Sequence, residues 1–331
     1  MKTLFIGGTG IISSACSQLA IERGHELYLL NRGQTTKRSV PEGAHVLHGD
    51  IRDRASAHAA LGVHTFDAVV NWIAFTTDHI ETDLDLFRGR MGQYIFISSA
   101  SVYQTPPANV PVVESTPLDN PVWQYSRNKI ACEERLMRAY REEKFPMTVV
   151  RPSHTYDKTL CPIHGGYTMI DRLRKGLPVI VHGDGTSLWT MTHHQDFAKG
   201  FVGLLGHNRA IGDTFHITSD EWLTWNQIYS LMARAAGVDA PKLVHVPSEL
   251  IAAYDKDWGD GLLGDKAHSM IFDNSMIMRL VPDYVAAIPF AQGAKEIMAW
   301  FDSDPANRVV DEQLNQTIDR ILAAYEAAWP K

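Results

Sequence analysis

The chain has 331 residues, enough for one large or two moderate domains. Its 45% apolar content, 21% charged content and formal net charge of −7 are ordinary for a globular protein. They give no electrostatic footprint for nucleic acid, and no apolar run approaches the ~20 residues of a membrane span.

Glycine interrupts the opening apolar run Leu4-Phe5-Ile6 within seven residues, so no secretory leader is expected. Cys16, Cys132 and Cys161 are an odd number at unrelated spacings, which fits reduced thiols in a cytoplasm. The expected location is cytoplasmic, with no membrane or nucleic-acid partner.

Leu4-Phe5-Ile6 predicts a strand buried on both faces. Gly7-Gly8-Thr9-Gly10 breaks it, and Ile12, Ala15, Cys16 and Leu19 recur at helical spacing as far as Gly24, a natural helix end. Apolar runs follow at 27–30, 45–47, 68–70, 94–97 and 147–150, each separated from the next by polar or helical sequence. That alternation predicts an α/β fold: a doubly wound parallel Rossmann sheet. Beyond Arg151-Pro152 the runs shorten among loops rich in Gly, Pro and His, and six of the eight tryptophans fall there. A smaller mixed α/β substrate domain is expected there. The division is residues 1–157 for the dinucleotide domain, with 190–220 returning to it, and 158–189 plus 221–331 for the substrate domain.

Gly7-x-x-Gly10-x-x-Ser13 lies between a strand and a helix, where a dinucleotide turn belongs. Gly7 permits the tight turn, and Gly10 lets the backbone approach a pyrophosphate at the helix amino terminus. After the second strand the chain offers Asn31-Arg32-Gly33, with Lys37 and Arg38 close by, instead of an acidic residue. A guanidinium suits a 2′-phosphate, which favours NADP over NAD; alternatively Arg32 stacks on the adenine. Gly49-Asp50-Ile51 places a carboxylate within reach of an adenine amino group. The candidate cofactor residues are Gly7, Thr9, Gly10, Ile11, Ile12, Asn31, Arg32, Asp50, Ile51 and Lys129.

Tyr125 and Lys129 stand one helical turn apart and share a face. A tyrosine of pKa ~10 is a poor base at pH 7, and a neighbouring ammonium favours its phenolate. Such a pair suits a proton acceptor working beside a hydride acceptor.

The glycine turn, the strand ends, Ser98-Ser99-Ala100-Ser101-Val102-Tyr103 and Tyr125-x-x-x-Lys129 together resemble the extended short-chain dehydrogenase/reductases. Within them the chain is similar to the NAD-dependent epimerase/dehydratase family. Segments 151–156, Gly183-Asp184-Gly185-Thr186, His193, Asp196 and 272–275 extend the likeness over most of the chain. The resemblance implies that Ser99 binds the substrate oxygen, that Tyr125 is the general acid/base, and that Lys129 holds the nicotinamide ribose. It is compatible with a homodimer. For Ser98 and Ser99 the other reading is strand-end capping.

Two departures from the family pattern narrow the reaction. Family dehydratases carry Thr-Asp-Glu where this chain has Ser99-Ala100-Ser101, so the extra acid and base needed to eliminate water are missing. Trp189 stands where nucleotide-sugar enzymes place an arginine against the diphosphate, so a substrate without a nucleotide is expected unless Arg174 or Lys175 supplies the charge.

His154 and His193 are candidate substrate hydrogen-bonding groups, and no histidine spacing supports a metal. Trp123 either walls the nicotinamide pocket or simply packs. The 265–268 segment is either a polar lid or a plain solvated loop.

The leading function is an NAD(P)-dependent epimerase or oxidoreductase acting at a carbinol or keto carbon of a small sugar-like substrate. The alternatives are an NADP-dependent carbonyl reductase of a non-sugar substrate, and a non-catalytic nucleotide-sensing or RNA-binding protein on the same fold.

Overall fold

The computed structural model describes residues 1–34 and 37–328. The first half alternates strand and helix: β1 (Lys2–Ile6), α1 (Ile11–Glu22), β2 (Glu26–Asn31), β3 (His45–His48), α2 (Arg54–Leu61), β4 (Phe66–Asn71), α3 (Thr77–Phe87), β5 (Met91–Ile97), α4 (Gln124–Glu143) and β6 (Met147–Pro152). The second half contains β7 (His154–Tyr156), α5 (Tyr167–Arg174), β8 (Val179–His182), β9 (Leu188–His193), α6 (His194–Leu204), β10 (Thr214–Ile217), β11 (Trp222–Thr224) and α7 (Trp225–Ala235). It continues with β12 (Leu243–Val246), α8 (Ser248–Tyr254), α9 (Lys256–Gly261), α10 (Ser275–Leu280), α11 (Phe290–Ser303) and α12 (Glu312–Ala327).

Seven strands form one parallel sheet in the order β10-β6-β5-β4-β1-β2-β3. The inner strands are buried on both faces and apolar at their centres: Leu4, Phe5 and Ile6 are all fully buried, as are Ala68, Val69 and Val70. The order reverses direction between β1 and β4, which opens a crevice at the carboxyl end of β1, where Gly7 lies. One apolar layer joins α1 and α6 to the sheet through Cys16, Ala20, Phe197 and Phe201. The other joins α3 and α4 through Ile80, Leu84, Cys132 and Leu136. Ile277, Val281 and Tyr284, which the sequence reading assigned to the second domain, pack in the α1–α6 layer.

A third apolar cluster holds the second half together. It runs from Met169, Ile170 and Leu173 of α5 through Trp189, Trp225 and Ile228 to Ile297 and Ile318. Small sheets of three strands (β11-β9-β7) and two strands (β12-β8) lie in this half. All three cysteines are buried and free.

Inside the α3 layer, Asp83 is fully buried. Asn71 Nδ2 and Tyr94 Oη both donate to its Oδ2 at 2.5 Å, while Oδ1 has no partner. Burial holds this carboxyl up to about 6. The native state therefore binds more protons than the unfolded chain between the two pKa values, and stability falls as pH rises through that window. Asp83→Asn is expected to gain on the wild type by up to about 3 kcal/mol between about pH 4 and about pH 6.5. Urea melts across that range check it; a constant difference between the two proteins would show that Asp83 ionises normally.

Candidate active site

The β1–α1 turn is built as the sequence pattern requires. Gly7 and Gly8 have φ of 99° and 96°, a region that favours glycine. At Gly8 a Cβ would also come within 2.6 Å of Leu29, so the turn is pressed against β2. Gly10 caps α1 with no side chain of its own, and its N–H donates to Ser13 Oγ at 2.7 Å. No acidic residue occupies the first turn. Exposed Gly10 and the half-buried Ile11 and Ile12 thus present an uncapped, positively polarised helix end, which fits a dinucleotide's pyrophosphate.

Of the remaining cofactor candidates, Asn31 Oδ1 accepts from Gly33 N at 2.9 Å and shapes the end of β2. Arg32 is exposed, with its guanidinium 3.8 Å from the Asp50 carboxylate. Asp50 also accepts from Arg52 N at 2.9 Å, and Ile51 is buried behind it. Arg38 is held elsewhere: it pairs with Asp157 at 2.7 Å and hydrogen-bonds Thr159.

Tyr125 and Lys129 lie on α4, whose buried face is Ser126, Lys129, Cys132, Glu133 and Leu136. Asn120 Oδ1 accepts from Trp123 N at 2.9 Å and orders the approach to this helix. Ser99 follows β5, lines the same cavity as Tyr125, and pairs its hydroxyl with that of Ser101 at 2.9 Å. Its Oγ also accepts from Ser101 N at 3.2 Å, so the capping role and the place beside Tyr125 belong to one side chain. Ser98 is buried, and its hydroxyl has no partner.

The expected lowering of the tyrosine pKa by Lys129 is not found. Lys129 Nζ donates to the carbonyls of Ala74 and Ile97, both at 2.7 Å, and lies 5.8 Å from the Tyr125 ring centre. Its own pKa is pushed down to about 8 by burial. Burial also raises the Tyr125 pKa, outweighing the lowering effect of the neighbouring Ser99 hydroxyl. The phenol is protonated at pH 7.

One cavity of about 360 Å³ brings together Ile11, Ser99, Trp123, Tyr125, His154 and Trp189. Burial, then the charge of Lys266, holds His154 down to about 3, so its imidazole is neutral. Trp189 is 2% exposed, with its ring 5.8 Å from that of Trp225. His193, expected at the substrate, does not line this cavity. Its Nδ1 accepts from Gln195 N at 3.3 Å to cap α6, and its Nε2 bonds Glu296 at 3.0 Å, so both ring nitrogens serve the fold. Arg174 and Lys175 do not reach the cavity either: Arg174 grips Asp302 with two bonds of 2.8 Å, and Lys175 pairs with Asp171 at 2.7 Å.

Asp265 and Lys266, read from sequence as polar loop residues, enter the cavity instead. They end a π-turn, Leu262–Lys266, that continues α9. Lys266 Nζ is 3.3 Å from Asp265 Oδ2, 5.4 Å from the Trp123 ring centre and 5.9 Å from that of Trp189. Three donors meet the Lys266 carbonyl and fix its position: His182 Nε2 at 3.1 Å, Ser187 Oγ at 3.2 Å and Trp225 Nε1 at 3.2 Å. The polarity of the segment was the only sequence signal for this arrangement.

The chain belongs to the NAD dependent epimerase/dehydratase family, whose sequence model matches residues 3–218. It is 26% identical over 257 residues to the chloroplast stem-loop binding protein of 41 kDa b of Arabidopsis thaliana, covering 74% of this chain and 65% of that protein. It therefore spans just under two thirds of that relative's length. With the 2′-dehydrokanamycin reductase of Streptomyces kanamyceticus it shares 23% identity over 288 residues, 86% of this chain and 80% of that one. The crystal structure of UDP-glucose 4-epimerase from Bifidobacterium longum in complex with NAD+ and UDP has the same fold. Its TM-score is 0.73 at 18% identity, over 93% of this chain and 100% of that one. Among the described residues no helix is long and apolar enough to cross a membrane.

Proposed function

We propose that the protein is an NAD(P)-dependent oxidoreductase or epimerase acting at a carbinol or keto carbon of a small sugar-like substrate. One observation carries this reading: Ser99 and Tyr125 share a cavity with Ile11 of the uncapped helix end. The nicotinamide supplies the hydride site. Ser99 binds the substrate oxygen, and Tyr125 takes or returns the hydroxyl proton as the carbon is oxidised or reduced. Lys129 contributes its charge beside the nicotinamide ribose. Ala100 and Ser101 offer no further acid or base: Ser101 is buried, and its Oγ accepts from Ser126 at 2.7 Å. That disfavours dehydration.

The neutral phenol favours the reductive direction as a second reading, because a protonated Tyr125 is ready to protonate a carbonyl oxygen. RNA binding is disfavoured by the net charge of −7, which offers no broad basic surface to phosphates.

The exposed Arg32, loosely held by Asp50, supports a preference for NADP over NAD. Denaturing the purified protein and identifying the released nucleotide tests the function. Tightly held NAD supports an epimerase, and an empty site that takes NADPH supports a reductase. Failure of either nucleotide to be found or to bind overturns both. In the same preparation, Arg32→Ala is expected to weaken NADP(H) by about 2 kcal/mol, as for a hydrogen bond to a charged group, and to leave NAD(H) nearly unchanged. Calorimetric titration of both cofactors decides it; equal losses would remove Arg32 from the 2′-position.

A further inference from the structure

Beyond the Tyr125 cavity lies a second, larger chamber of about 870 Å³, within the size range of sites that bury a drug-sized ligand. Trp123, His154, Leu160 and Lys266 line both spaces, so the two adjoin. The chamber's walls are aromatic: Trp225, Tyr229, Trp258 and Phe301 are buried side chains of the second half, and Trp300 is half-buried. His164 lies flat on Trp258, with ring centres 4.2 Å apart and planes 8° from parallel, so two flat aromatic rings stand together in this wall.

The charge balance of the chamber is equally informative. Lys266 is the cation shared with the catalytic cavity, and Asp265 stands 3.3 Å from it. The other charged groups on the wall, Lys37 and Asp257, are exposed and opposite in sign. A diphosphate entering here would lose hydration without a set of cations to replace it. A neutral planar group would lose little and gain stacking and apolar burial.

We propose that this chamber binds a neutral aromatic group carried by the substrate, so that the reacting sugar-like ring is presented to Tyr125 as an aryl glycoside and not as a nucleotide sugar. The proposal rests on the reading of Tyr125 as the reacting centre, but its test reads binding alone.

Three ligands sharing one sugar are titrated calorimetrically into the protein with NAD or NADP present: 2-naphthyl β-D-glucopyranoside, methyl β-D-glucopyranoside and UDP-glucose. The naphthyl glycoside is expected to bind at least about tenfold more tightly than either of the others, as two or more stacked contacts of about 1 kcal/mol supply. Trp258→Ala should remove that preference. Because Trp258 is buried, the half-buried Trp300→Leu serves as the second variant and should reduce the preference at least threefold while folding normally. Tyr125→Phe should keep it in full. Equal affinities, tighter UDP-glucose, no naphthyl glycoside binding, or a preference unchanged in folded Trp300→Leu and Trp258→Ala proteins each overturn the proposal. Naphthyl glycoside binding with its preference intact in a protein that takes neither NAD nor NADP would leave the chamber assigned and overturn only the catalytic reading.

Discussion

Tyr125→Phe is expected to fold and to bind cofactor, yet to lose at least about 100-fold in turnover, the usual scale for a general acid–base group. The phenol lines the 360 Å³ cavity together with Ser99, where the proposed mechanism places the substrate oxygen. The ring itself packs 5.0 Å from that of Trp123, and phenylalanine preserves that contact. Only the hydroxyl is removed. Stopped-flow or steady-state absorbance of the reduced nicotinamide measures the loss once a substrate is in hand, and near-normal turnover would exclude Tyr125 from proton transfer. The wild-type profile should show the protonated phenol as the active form in the reductive direction throughout the neutral range, because burial holds its pKa above the usual value.

The largest stability effect is expected at Arg151, which does not line the cavity. Its Nε and Nη2 donate to the two Glu133 oxygens at 3.0 and 2.5 Å, with the two side chains 5% and 6% exposed. Nη1 donates to the Glu114 carbonyl at 3.1 Å, and the guanidinium lies 4.7 Å from the Tyr103 ring centre. Arg151→Met leaves a buried carboxylate without its partner, and a loss of about 3–5 kcal/mol follows. Pairing it with Glu133→Leu removes the stranded charge and should restore most of that loss. Urea melts of the single and double variants check both statements. A double variant no more stable than Arg151→Met alone would show that the cost lies in the Glu114 and Tyr103 contacts.

Much of the sheet was legible because parallel strands covered on both faces cannot alternate polar and apolar residues. The runs at 4–6, 27–30, 45–47, 68–70, 94–97 and 147–150 fall within β1 to β6. The glycine turn was legible for a similar reason, since the backbone at Gly7 and Gly8 needs a positive φ. Residues whose position depends on distant partners were harder to read. The spacing of Tyr125 and Lys129 gave a shared helix face but could not show that the Ala74 and Ile97 carbonyls capture the ammonium. His193 looked available because Glu296, its partner, lies 103 positions away. Asp265 and Lys266 sit in a stretch with no periodicity, and only tertiary hydrogen bonds bring them to the cavity.

The anchoring of the 262–266 turn limits how specificity in this protein can change. The Lys266 carbonyl receives donors from three separate segments, and Asn120 Nδ2 bridges the Gly264 and Ser101 carbonyls at 2.7 and 2.9 Å. Gly264 also leaves no room for a Cβ, which would come 2.7 Å from that of Trp123. The turn is therefore not an interchangeable part. A replacement segment that did not keep this backbone path would leave the His182, Ser187 and Trp225 donors without their acceptor, and a side chain at position 264 would press on Trp123, so these positions change together as one block.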